Sequence, residues 1–244
     1  MHEKAILLWE SLFSCPIAVV INGVTIFIAK FQSVNLDLTP DFKNYKRMEN
    51  INRQELAFEK FDAYNQKDPN SILWDGISYP REYFLSLKLH EWVVKIDPAA
   101  GEALLLASRS QHIGRWEIPR DSYPLGRESY LKWRRDLAHH HAQIAAEILK
   151  ESGYHEEEID RVQQIILKKK IKQDSDVQTM ENALCLVFLA YQYEAFHPLH
   201  DAEKVVNILR KSLLKMDEVG HQFALTLNYS EEGLAHVRSA LSLI

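Results

Sequence analysis

The chain has 244 residues, 46% apolar and 26% charged, with a net charge of −5. This is enough apolar material to bury one large core or two small ones, and the acidic balance argues against general affinity for nucleic acid or anionic membrane. Cys15 and Cys185 show no metal-ligand spacing and fit a reducing, cytoplasmic setting without structural disulfides.

From Ser11 to Ala29 nineteen residues carry no charge. That length approaches a membrane span or signal anchor. Pro16, Asn22 and Gly23 weigh against one, and no A-x-A cleavage pattern follows. Residues 1–47 are therefore read as an N-terminal extension ahead of Met48, with an anchor or a packed element as alternatives. Membrane association is expected only if residues 11–29 are a true anchor.

After Met48 the periodicity is helical almost throughout, which predicts a single all-α domain over residues 48–244. Leu56, Phe58, Phe61 and Tyr64 mark one helix, closed by Asp68-Pro69-Asn70. Ser78-Tyr79-Pro80 starts a second, with Phe84, Leu87 and Trp92 on its apolar face. Asp97-Pro98 predicts a third helix running to Trp116. A loop rich in Pro and Gly, EIPRDSYPLGRE, follows. The fourth helix is expected over about residues 128–152, ending at Gly153. HEEEIDRVQQIILKKK opens with acids and closes with lysines, as the helix dipole favours. DSDVQTMENALCLVFLAYQYEAF is nearly all apolar and predicts a central helix. DAEKVVNILRKSLLKM and SEEGLAHVRSALSLI complete the array.

Two short motifs mislead. His112-Ile113-Gly114-Arg115 is close to the HIGH signature of class I aminoacyl-tRNA synthetases, and Lys215-Met216 to their second signature. Those signatures sit on a parallel nucleotide-binding sheet, and nothing here alternates strand with helix. His200-Asp201 spells the HD dipeptide of phosphohydrolases, but Asp201 is better explained as a helix cap.

The charge distribution is more informative. Between Ser108 and Arg135 there are seven Arg or Lys and three acids, a local +4 in an acidic chain. This suggests a small anionic ligand rather than a long polyanion. Helical spacing puts Leu105, Arg109, His112 and Trp116 on one stripe. Leu137, His141, Ile144 and Ile148 form another, so His141 is the inward member of the His139-His140-His141 run. Val177, Glu181, Leu184 and Phe188 form a third. Buried ionisable groups are costly unless paired or metal-bound, so convergence of His112, His141 and Glu181 would need a reason.

Two imidazoles and a carboxylate can hold a divalent ion (Mn, Mg, Zn or Fe), leaving positions for water and a phosphate oxygen. Arg109, Arg115, Arg120, Arg127 and Arg134 can grip that phosphate with forked hydrogen bonds. Trp116, Tyr123, Tyr130 and Trp133 can stack on a base or sugar. A metal-free anion pocket and a purely structural Arg/His network explain the same residues. The Lys168 to Lys170 run reads as a solvated helix end.

The strings ASRSQHIGRWEIPR from Ala107, YPLGR from Tyr123, YLKWR from Tyr130 and His141-Ala142 resemble the domain-of-unknown-function 4202 family. FDAYNQKDPN, VQTMENALCLVFL and ILRKSLLKM fit it as well, so the resemblance runs from about residue 54 to the C-terminus. The family's motif residues in this chain would be Arg109, Gln111, His112, Arg115, Trp116, Pro119, Arg120, Tyr123, Pro124, Gly126, Arg127, Trp133, Arg134 and His141. The order of helices, with His112, His141 and an acid at 181, is similar to HD-domain phosphohydrolases. Two positions depart from the expected ligand pattern. Gln111-His112 stands in place of His-Asp, and Glu181-Asn182 in place of Glu-Asp. The expectation is a binder of a phosphorylated small molecule or nucleotide, with metal-dependent phosphoester hydrolysis at His112, His141 and Glu181. The alternative is a non-catalytic anion-binding or protein-interaction module.

Overall fold

The computed structural model describes Ile17–Ile21, Val24–Ile28 and residues 42–244, with side chains from Arg53 onward. Strands β1 (Ile17–Ile21) and β2 (Val24–Ile28) pair antiparallel, Ile17 opposite Ile28 and Ile21 opposite Val24. They account for much of the uncharged Ser11–Ala29 segment, whose remaining residues lie outside the described ones. No helix among the described residues is long and apolar enough to cross a membrane.

Residues from Lys46 to Ile244 form one compact unit. Helix α1 (Phe42–Asn65) begins ahead of Met48. A β-hairpin follows, β3 (Ser71–Trp74) against β4 (Ile77–Pro80), where a helix start had been expected at Ser78. Asp75 and Gly76, both at positive φ (50° and 77°), make its two-residue turn, the backbone that Asp-Gly favours between twisted strands. Helix α2 (Arg81–Ile96) starts directly after it. Asp68 closes this junction, one carboxylate oxygen taking the Asn70 N–H and the other the Glu82 N–H, each at 2.9 Å.

Helix α3 is Glu102–Ser110, shorter than expected at both ends. Asp97 ends α2, and its carboxylate accepts from the Ala99 N–H at 3.0 Å. The capping signal is used in the turn between helices. At the other end, the Ser110 hydroxyl donates back to the Leu106 carbonyl, and the chain leaves the helix before His112. Helix α4 (Arg127–Glu151) stops before Gly153, which has φ 86°, as expected. Helices α5 (Glu156–Ile166), α6 (Ser175–Tyr191), α7 (Tyr193–Phe196), α8 (Ala202–Leu213), α9 (Glu218–Leu225) and α10 (Glu231–Leu241) complete an all-α array.

The core is continuous through α1, α2, α3, α4, α5 and α6, with Phe61, Leu104, Leu149, Ile165, Met180 and Leu186 almost inaccessible. Burying each such side chain contributes about 1.5–3 kcal/mol. Helix α6 is the central element, as its apolar sequence requires. Two charged clamps fix its surroundings. Arg53 on α1 forks onto Glu158 of α5 at 3.0 and 2.9 Å. Arg161 of α5 grips Asp174 and Asp176 at the start of α6, pinning both ends of the loop between these helices.

Candidate functional site

The site begins at the turn after α3. Gly114 adopts a left-handed φ of 68°, and a Cβ there would lie 2.6 Å from Ile144 Cδ1, so only glycine suits the position. The turn carries His112 and leads into a short 3-10 turn, Arg115–Glu117. His112 is thus presented by a tight turn rather than by the helical stripe expected for it. The next loop is held by its own polar groups. The Arg120 guanidinium donates to the carbonyls of Tyr123 (2.9 Å) and Pro124 (3.0 Å), and the Trp133 indole donates to Ile118 at 2.9 Å.

On α4, His141 is the inward member of the histidine triplet and is 2% exposed. Its Nδ1 lies 2.6 Å from the Ile113 carbonyl. A carbonyl only accepts, so Nδ1 carries the proton and Nε2 presents a bare lone pair. That Nε2 is buried without a partner among the described residues. His140 instead meets Glu117 at 2.8 Å.

These elements and α6 enclose a cleft of about 360 Å³, within the size range of small-molecule sites. His112, Arg115, Arg134, His141 and Glu181 all line it, as do Lys168 and Lys215. Leu85, Leu89, Leu137, Val187 and Phe188 supply an apolar wall, and Tyr130 and Trp133 sit at its edge. Arg115 lies over the Trp133 ring at 5.7 Å and Arg134 near Tyr130 at 6.0 Å.

Four permanent cations therefore face one lining carboxylate. Glu181, 2% exposed, is shared between Lys168 (2.6 Å to Oε2) and Lys215 (3.5 Å to Oε1). Burial alone would raise its pKa, but the two lysines hold the carboxyl below its ordinary value. Arg134 has no acidic partner among the described residues. Arg115 has only a loose one, Glu82, at 3.7 Å.

The histidines are neutral here. Loss of hydration, then the charges of Arg115, Lys168 and Arg134, keep His112 well below the ordinary imidazole range. Burial drives His141 down to about 3. Glu82 behaves oppositely: burial lifts its carboxyl to about 7, against the pull of Arg115 and Arg81. Its Oε2 has no hydrogen-bond partner among the described residues and lies 3.9 Å from His112 Nδ1.

Several expected site residues point elsewhere. Arg109 is ion-paired to Asp62 of α1 and covers Phe58. Trp116 packs on Tyr64 at 5.9 Å. Arg120 is committed to backbone carbonyls, and the Tyr123 hydroxyl donates to Asp136 at 3.0 Å. Arg127 is exposed at the first residue of α4. Asp201 occupies the cap position of α8 without a side-chain cap bond.

Lys168, Lys215 and Glu82 were missed by sequence reasoning. The sequence places Lys168 at a solvated helix end; the structure holds it at φ 54° and turns it into the cleft. The lysine run itself contained no signal distinguishing its first member. Glu82 stands within an otherwise apolar helix face, which was a usable signal.

The two departures from the ligand pattern have local explanations. Gln111 is buried and donates to the Ile166 carbonyl at 3.0 Å, securing the end of α5. Asn182 donates to Asp217 at 2.8 Å and accepts from its N–H at 3.2 Å. An aspartate at 182 would face the Asp217 carboxylate, so the amide suits this junction with α9. The arrangement does not fit a shared metal ion. Among the described residues no three His, Cys, Asp or Glu side chains are placed to hold one, and Glu181 is occupied by two ammonium groups.

No curated protein and no solved structure matches the chain. A family model described as Domain of unknown function (DUF4202) matches residues 55–237. With well over half of its length matched, the chain belongs to the DUF4202 family.

Proposed function

We propose that the protein binds a small phosphorylated molecule, such as a nucleotide, in the cleft between α2, α4 and α6. The observation that carries this reading is the excess of Arg115, Arg134, Lys168 and Lys215 over the single lining carboxylate Glu181, beside an apolar wall. In a partly dehydrated site such cations interact with an anion more strongly than they do in water. The His141 Nε2 lone pair can accept from a hydroxyl of the ligand. The aromatic edge at Tyr130 and Trp133 suits a flat organic group.

A thermal-shift panel of phosphorylated and unphosphorylated compounds, run in a chelator, tests the reading. Stabilisation by phosphorylated members, lost in Arg134→Ala, is the expected outcome. Equal response to both classes contradicts it.

Phosphoester hydrolysis, as in HD-type phosphohydrolases, is a second reading, favoured by His112 and His141 facing the same cleft. The residues present do not suit a bound metal, so no step is assigned to one. Turnover of a phosphatase panel with Mn, Mg or Zn that chelation abolishes would favour it.

A further inference from the structure

Glu181 is the most buried charged group of the cleft and the least expected beside an anion. Its two oxygens face different lysines, Lys168 at 2.6 Å and Lys215 at 3.5 Å. The lysines come from separate elements, the loop after α5 and the turn after α8. Their side chains are 27% and 45% exposed, against 3% for Glu181. The carboxylate is thus the buried base of a fork whose two ammonium ends reach the cleft. Without it the two ammonium groups would repel each other, and flexible lysine stems would carry them apart into water.

The Lys168 backbone supports this placement. It adopts a left-handed φ of 54°, unusual for a residue with a side chain. Its N–H still donates to the Ile165 carbonyl at 2.9 Å, and the Arg161 clamp on Asp174 and Asp176 closes the far end of the loop.

We infer that Lys168 and Lys215, held as a pair by Glu181, seat the terminal phosphate of a phosphomonoester, and that Glu181 is a positioning residue rather than a metal ligand. The inference rests on the anion-binding reading of the cleft and narrows it. Two ammonium groups and Arg134, which lines the same cleft, less the Glu181 carboxylate leave a charge of about +2, which matches a phosphate dianion. A phosphodiester or carboxylate, with one charge, leaves part of that field unanswered.

Calorimetric titrations in a chelator with two probes, phenyl phosphate and methyl phenyl phosphate, test it. The monoester is expected to bind about tenfold or more tighter than the diester. Lys168→Ala and Lys215→Ala should each remove most of that preference. Glu181→Gln should weaken monoester binding, although it removes a negative charge from the cleft, and should flatten its salt dependence. Lys215 is half-exposed, so its variant reports on the pair even if the buried Glu181→Gln protein folds poorly. Equal binding of the two probes, or tighter monoester binding by a folded Glu181→Gln, overturns the inference while leaving an anion site. Failure of both probes to bind overturns the anion-binding reading itself, and this inference with it.

Discussion

At the residue scale, the site combines groups whose protonation opposes their usual behaviour, and this has consequences for stability. The unfolded chain protonates His141 near the ordinary imidazole value of about 6.5, whereas the folded chain does so only near about 3. Between these values the unfolded state binds the proton more strongly, so stability falls as pH falls, by up to about 5 kcal/mol. His112 is shifted in the same direction. Denaturant unfolding at several pH values should show a steeper acid loss for wild type than for His141→Gln.

Glu82 has the opposite sign. Its folded carboxyl titrates near about 7, above the ordinary carboxylate value of about 4.3. The stability it contributes is full below that lower value and is lost as pH rises through 7. Glu82→Gln should therefore exceed wild type by up to about 4 kcal/mol in unfolding experiments at about pH 8. Arg109 belongs to a different class, because its partner is Asp62 rather than a ligand. Arg109→Ala should cost about 3 kcal/mol of stability and leave anion affinity little changed, as melting and titration of the same preparation would show.

At the scale of elements, the loop between α5 and α6 carries the most telling prediction. Lys168, Lys170 and Lys172 all have positive φ, between 54° and 67°, yet only Lys168 lines the cleft. Lys170→Gly should relieve backbone strain and raise stability by about 0.5 kcal/mol, the gain being limited by glycine's freedom in the unfolded chain. Lys168→Gly relieves the same strain but should lose anion affinity. Comparing the two in melts and titrations separates strain from function.

Elements with a simple signal were legible in the sequence. The acids opening α5, the Gly153 stop of α4 and the apolar run of α6 each predict a helix at the right place, whereas the lysines expected to close α5 lie beyond its end at Ile166. The hairpin at Asp75-Gly76 was passed over because two four-residue strands yield little periodicity. Helix α3 was overextended because the stripe Leu105, Arg109, His112 continues a helical spacing that the Gly114 turn interrupts. His112 still reaches the cleft, by a different backbone route.

For the whole molecule, the cleft is a local positive field in a chain of net charge −5. Exposed charges are screened over about 10 Å at 0.1 M salt, so raising salt from about 0.05 to 0.5 M should weaken anion binding several-fold. Melting temperature, set mainly by the apolar core, should move little. His141, Glu181 and Arg134 could be assembled from sequence because each stands on or beside a periodic apolar helix face, and His112 and Arg115 because they fall in the locally cationic stretch. Lys168 and Lys215 could not, because residues brought together by loops of different helices leave no spacing to read.

The most direct measurement of the central claim is a crystal structure of the protein grown with a nucleoside monophosphate and a chelator. Phosphate density is expected between Arg134, Lys168 and Lys215, with no metal at His112 and His141. A nucleotide bound elsewhere on the chain, or a metal held by the two histidines and Glu181, would contradict it.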